Sequence, residues 1–217
     1  MGRKFYHDKY HVDTLRLREW DYSHEGKYFI TINAKNKGNI FGGIVNGEMI
    51  LNSIGLIAEE YILNIPEHFS FIVDHAHIVM PDHVHLLLEI NKRLEKETPH
   101  SASIQTTKIP IASRHPLRQG YEGQVGVMRQ DKMIQVETCY STSQKGSHLK
   151  KNSISLVINQ YKGAVTRYCK QNNLPFKWKA RFYDKIIRSD IEFDNTKRYI
   201  ITNPKTFQKQ NLSRDTP

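Results

Sequence analysis

Only two cysteines occur in 217 residues. Cys139 and Cys169 lie in regions of different character and match no zinc spacing. A disulfide scaffold and a cysteine-bound metal are thereby excluded, and reduced thiols without a functional role are expected. No apolar run is long enough to span a bilayer. The opening residues, Met1-Gly2-Arg3-Lys4-Phe5-Tyr6-His7-Asp8, lack the apolar core of a signal peptide. The expectation is a soluble, intracellular protein with no membrane partner. Acidic residues are also scarce: 22 Asp and Glu against 32 Lys and Arg leave a formal net charge of +10. From Lys150 onward fifteen cations face five acids (Asp184, Asp190, Glu192, Asp194, Asp215), which accounts for the whole excess. That basic third is interleaved with Tyr161, Tyr168, Phe176, Trp178, Phe182 and Tyr183. Cations meet backbone phosphates and rings stack on unpaired bases, so the pattern favours a nucleic-acid surface. A membrane surface is disfavoured, because no basic amphipathic helix with a broad apolar face stands out.

The length fits one domain over 1–217 with a core of its own, interrupted by an insertion. Tyr28-Phe29-Ile30-Thr31-Ile32-Asn33 is rich in aromatic and β-branched residues and reads as a strand. Gly42-Gly43 and Asn46-Gly47 punctuate a hairpin-like stretch that ends at Leu51. A helix follows, capped by Asn52 or Ser53, striped by Ile54, Leu56, Ile57, Tyr61 and Ile62, and stopped by Pro66. Phe71 to Met80 and His83 to Ile90 read as two strands joined by a tight Pro81-Asp82 turn. From about 91 to 151 the chain is polar and aperiodic, an insertion or mobile loop; 125–128 and 133–136 are a weak hairpin candidate. Ser153 can cap a helix carrying Leu156, Val157, Tyr161, Val165 and Tyr168. Arg181 to Arg188 reads as a strand, and Ile191 to Thr202 as a helix closed by Asn203-Pro204, because the residue before proline disfavours helical backbone. This order suits an α+β fold with helices packed on an antiparallel sheet.

Within the second of the paired strands, Met80-Pro81-Asp82-His83-Val84-His85-Leu86-Leu87-Leu88-Glu89-Ile90 sets two histidines one residue apart. Side chains alternate along a strand, so His83 and His85 share one face while Val84, Leu86, Leu88 and Ile90 take the other. Paired neutral imidazoles on a rigid element can hold a divalent metal. His75-Ala76-His77 has the same spacing, so only a partner elsewhere can separate the two pairs. In the last helix, Tyr199 and Asn203 stand four apart and share one face, with Asn203 at the expected fraying end.

Five segments in order carry a resemblance. They are Tyr28-Phe29-Ile30-Thr31-Ile32-Asn33, Met80-Pro81-Asp82-His83-Val84-His85, Gln160-Tyr161-Lys162-Gly163-Ala164-Val165-Thr166-Arg167, Arg181-Phe182-Tyr183-Asp184-Lys185-Ile186-Ile187-Arg188 and Tyr199-Ile200-Ile201-Thr202-Asn203-Pro204. Together the chain resembles the single-tyrosine HUH transposases, and among them the REP-associated tyrosine transposases and related insertion-sequence proteins. The match spans nearly everything except the N-terminal arm and the insertion. It implies a ferredoxin-like or RRM-like sheet with the histidine pair on a central strand and the nucleophile on a helix across from it. It also implies His83 and His85 as metal ligands, Tyr199 as nucleophile, and Asn203 at the position of a further polar ligand that is often glutamine in the shorter relatives. Asp82 stands where the family commonly has Asn, and Lys185 where it often has His. The resemblance demotes His75 and His77, favours Mg²⁺ or Mn²⁺, makes a homodimer expected, and places the protein in a bacterial-type cytoplasm with the nucleoid.

The chemistry these residues permit is attack by Tyr199 on a phosphodiester of single-stranded or hairpin-flanked DNA, leaving a 5′-phosphotyrosyl link and a free 3′-hydroxyl. Candidate backbone contacts are Lys162, Arg167, Lys179, Arg181, Lys185 and Arg188. Two other classes predict different behaviour. A non-catalytic DNA- or RNA-binding module binds without metal or Tyr199, and a metal-dependent nuclease with water as nucleophile cuts without Tyr199.

Overall fold

The computed structural model describes residues 20–36, 38–94 and 150–212. Most of the expected insertion, the hairpin candidate within it and Cys139 lie outside the described residues. In β1 (Gly26–Asn33) alternation turns Tyr28, Ile30 and Ile32 to one side, where all three are fully buried. Lys27, Phe29, Thr31 and Asn33 take the other side. Strands β2 (Gly42–Val45) and β3 (Glu48–Leu51) form a separate hairpin. Its turn residues Asn46 and Gly47 both have positive φ (53° and 79°), the backbone a two-residue hairpin of right-handed twist requires.

Helix α1 (Ser53–Leu63) begins where Asn52 Oδ1 accepts from the backbone N–H groups of Ile54 and Gly55, both at 3.0 Å. Pro66 does not stop it: α1 ends at the Asn64 cap, and Pro66 lies in the first turn of a short helix, α2 (Ile65–His68). A proline at that position forfeits no hydrogen bond, since the first N–H groups of a helix have no internal partner. Strands β4 (Ile72–Val79) and β5 (His83–Ile90) follow, joined by Met80-Pro81-Asp82. Then come α3 (Ile154–Gln171), capped by the Ser153 hydroxyl, β6 (Tyr183–Ile187), and α4 (Asp190–Leu212).

The main sheet is four-stranded and antiparallel, in the order β4-β5-β1-β6. With α1 and α3 as connections, this is the β-α-β-β-α-β arrangement of ferredoxin-like folds. Helices α1 and α3 cover one face, packing Ile57, Ile62, Val157 and Val165 on Ile30, Ile32, Leu86 and Leu88. The Tyr161 hydroxyl, donating to the Ala58 carbonyl at 3.2 Å, ties the two helices together. Helix α4 crosses the other face, where Ile200 packs with Leu87 and Ile187 and is bordered by Phe29, Ala76, Ile78 and Phe193.

The expected end of this last helix at Asn203-Pro204 is corrected by the structure: α4 runs through Pro204 to Leu212. Pro204 has no N–H to offer the Ile200 carbonyl, a local cost of about 3 kcal/mol. Burial outweighs it, since Ile200, Asn203 and Pro204 are all inside. The β2–β3 hairpin braces the segment beyond the proline, so closely that a Cβ at Gly47 would stand 3.1 Å from Cγ of Lys205.

Candidate metal and nucleophile site

On the face crossed by α4, β1 and β5 are registered so that Asn33 lies opposite His83 and Thr31 opposite His85. The two imidazoles converge, with Nε2 of His83 3.0 Å from Nε2 of His85. Their far nitrogens are each held. Nδ1 of His83 donates to Asp82 Oδ1 at 2.7 Å, because a carboxylate can only accept. Nδ1 of His85 lies 2.9 Å from the Thr31 hydroxyl. Phe29 stacks on the His85 ring with centroids 5.2 Å apart.

His85 is 5 % exposed. Burial first, and then the neighbouring His83, push its pKa down to about 3, so the ring is neutral at physiological pH. With Nδ1 of His83 carrying hydrogen, its Nε2 presents a lone pair. When the Thr31 hydroxyl accepts from Nδ1 of His85, a second lone pair faces the first, an arrangement that a cation between them would satisfy. Two ligands about 2.1 Å from a shared ion and at right angles to one another stand about 3.0 Å apart. The separation of the two nitrogens therefore fits adjacent positions on an octahedral ion. Among the described residues no group of three or more His, Cys, Asp or Glu could hold a metal.

Helix α4 brings Tyr199 to the same place. Its hydroxyl is 3.5 Å from Nε2 of His85, at the outer limit of a hydrogen bond, and its ring meets Phe29 edge-on at 6.0 Å. The residue remains 48 % exposed. Asn203 follows one turn later on the same helical face and is 6 % exposed. It is mid-helix rather than at a fraying end.

The competing pair is split by the fold. A register shift between Asp74 and Ala76 in β4 makes His75 the extra residue of a bulge. His75 turns to the α4 face, 2.6 Å from Glu89 and edge-on to Phe193. His77 instead meets Asp74 at 2.5 Å, and its pairing with Leu86 places it on the α1 face. Equal spacing in sequence thus yields one convergent pair and one divided pair.

The six basic candidates are dispersed. Lys162 and Arg167 lie on α3, on the opposite side of the sheet from the histidines. Lys162 donates to the carbonyls of Lys179 and Ala180, at 2.6 and 3.4 Å, and burial lowers its pKa. Lys179 and Arg181 are exposed on the segment leading into β6. Lys185 lies beside Phe29 on the histidine face and pairs with Glu192 of α4 at 2.6 Å, while the backbone N–H of Arg188 donates to the same carboxylate. Sequence reasoning missed Thr31 and Phe29. Their alternation in β1 was readable, but their place beside His85 depends on strand register.

No family model matches the chain. A protein of Haemophilus influenzae, itself uncharacterised, is 26 % identical over 213 residues, covering 98 % of both chains. Among solved structures, a REP-associated tyrosine transposase bound to a REP hairpin is similar over 90 % of this chain and 74 % of that one, at 14 % identity and a TM-score of 0.49. A Deinococcus radiodurans R1 protein described provisionally as a transposase is similar over 86 % of this chain and 95 % of that one, at 14 % identity and a TM-score of 0.37.

Proposed function

We propose that this chain is a metal-dependent enzyme that nicks and rejoins single-stranded DNA, with Tyr199 as nucleophile. The observation that carries the reading is the convergence of Tyr199 Oη on His85 Nε2, at 3.5 Å, with His83 Nε2 a further 3.0 Å from His85. Tyrosine, paired imidazoles and an open approach occur together on one face of the sheet.

In the proposed reaction the Tyr199 oxygen forms a bond to phosphorus while the bond from phosphorus to the 3′ oxygen breaks. The phenolic proton passes to water, and the departing 3′ oxygen takes one from water. The product is a 5′-phosphotyrosyl link and a free 3′-hydroxyl. Attack on that link by a 3′-hydroxyl reverses the exchange, rejoins a strand and restores the phenol. The phosphodiester energy is conserved, so no nucleotide cofactor is required. His83 and His85 are the residues that would hold Mg²⁺ or Mn²⁺, with Asn203 as a further oxygen donor. Bound there, the ion would polarise a non-bridging phosphate oxygen and offset charge gathering in the transition state. Thr31 and Asp82 orient the imidazoles through their far nitrogens. The proposed substrate is single-stranded, or a hairpin with single-stranded flanks, because in-line attack needs an accessible and bendable backbone.

The test is a denaturing gel of protein incubated with labelled hairpin-bearing single strands and Mn²⁺, beside EDTA, His83→Ala and Tyr199→Phe controls. The expected result is labelled DNA migrating with the protein only when metal, His83 and Tyr199 are all present. Cleavage that persists in Tyr199→Phe would make water the nucleophile. Binding without cleavage of any strand would make the chain a binding module.

A further inference from the structure

We infer that Tyr183 is a stacking platform for an unpaired nucleobase next to the scissile phosphate, an inference that rests on the single-strand reading of the same site. Of the six aromatic residues from Tyr161 to Tyr183, five serve the interior. Tyr161 is fully buried, and Tyr168, Phe176, Trp178 and Phe182 pack against the main core. Tyr183 is 39 % exposed and belongs to neither core.

Its direction follows from register. Tyr183 pairs with Thr31, and Thr31 pairs on its other side with His85. Directly paired residues point to the same side of a sheet, so His85, Thr31 and Tyr183 form one row across three neighbouring strands. Two strand spacings separate the ends of that row, roughly 10 Å. A strand whose phosphate lies at His85 and Tyr199 would carry a flanking nucleotide over Tyr183.

Tyr183 is exposed at this end of the face. Helix α4 meets β6 farther along the strand, at Lys185 through Glu192 and at Ile187 through Ile200. The surrounding charge suits a polyanion. Residues 179–188 include Lys179, Arg181, Lys185 and Arg188, and their single acid, Asp184, pairs with Ile30 on the opposite face, where it is buried. An exposed ring beside cations, in line with a phosphate-processing site, is the combination that holds single strands with little sequence preference.

The experiment measures retention of hairpins with randomised single-stranded flanks by the full chain in EDTA, so that binding is read apart from chemistry. Wild type is compared with Tyr183→Phe and Tyr183→Leu; the second keeps an apolar strand residue and removes the aromatic face. The expected result is wild-type affinity in the Phe variant and roughly five- to a hundredfold weaker retention in the Leu variant. Photo-crosslinking of iodouridine in the flanks should then map to Tyr183. Equal retention by wild type and the Leu variant would overturn the platform while leaving the Tyr199 adduct assay, and with it the proposed reaction, untouched. Failure of wild type to retain any of the hairpins would instead defeat the single-strand reading, and the platform with it.

Discussion

Thr31 ties one hydroxyl of β1 to a histidine of the neighbouring strand. Its oxygen lies 2.9 Å from Nδ1 of His85 and so fixes the orientation of that ring through the nitrogen turned away from His83. Replacing it with valine preserves shape and removes the partner. Thr31→Val should weaken Mn²⁺ binding by roughly ten- to a hundredfold, and Thr31→Ser should restore it, as read from the electron paramagnetic resonance of free Mn²⁺. Unchanged Mn²⁺ affinity in the valine variant would show that the hydroxyl does not position the ring. His83 and His85 were legible in the sequence because alternation along a strand is local. Thr31 was not, since nothing in β1 itself says which of its residues will stand beside His85.

At the scale of elements, two departures from local rules shape the face that carries the site. Pro204 should end a helix, yet α4 continues because the packing of Ile200 and the brace from the β2–β3 hairpin outweigh one missing hydrogen bond. Ile200→Ala should lower stability to denaturant by roughly 2–5 kcal/mol and reduce adduct formation with it, since Tyr199 is the adjoining residue. Adduct yield that stays at the wild-type level in a destabilised Ile200→Ala protein would separate the helix's packing from its chemistry. The bulge at His75 is the other departure. It arises from the pairing of β4 with β5, so a reading of β4 alone sees two equivalent histidines. Its consequence on the far face is titratable. Burial opposes charge on His77, but the hydrogen bond and charge of Asp74, with Glu59 behind, outweigh it and raise the pKa above the usual 6.5. A pKa raised by folding stabilises fully below the unfolded value of 6.5 and loses that contribution as pH rises through the folded value. The melting-temperature gap between wild type and His77→Gln should therefore be widest in mild acid and close at alkaline pH. A gap that does not change with pH would mean that the pair carries no charge.

For the whole molecule, the charge map makes the firmest claim on binding. The formal excess of +10 resides in the C-terminal third, which supplies α3, the segment between α3 and β6, β6 itself and α4. Single-strand affinity should fall linearly on a logarithmic salt scale, by roughly 0.7 per phosphate neutralised, and Lys179→Gln or Arg181→Gln should each shallow that slope by about one contact. A slope unaltered by either change would remove those side chains from the interface. The order of elements and the two-faced sheet were legible from composition and period. The arrangement of cations was not, because Lys162 and Arg167 of α3 lie on one side of the sheet while Lys185 of β6 lies on the other. One further consequence follows from the position of Tyr199, whose hydroxyl reaches His85 of its own chain. Nicking should then be first order in protein, with adduct per mole of enzyme constant on dilution. What a pair of chains would supply is a second DNA end, so joining two strands, rather than cutting one, is the step whose rate should rise with the square of enzyme concentration.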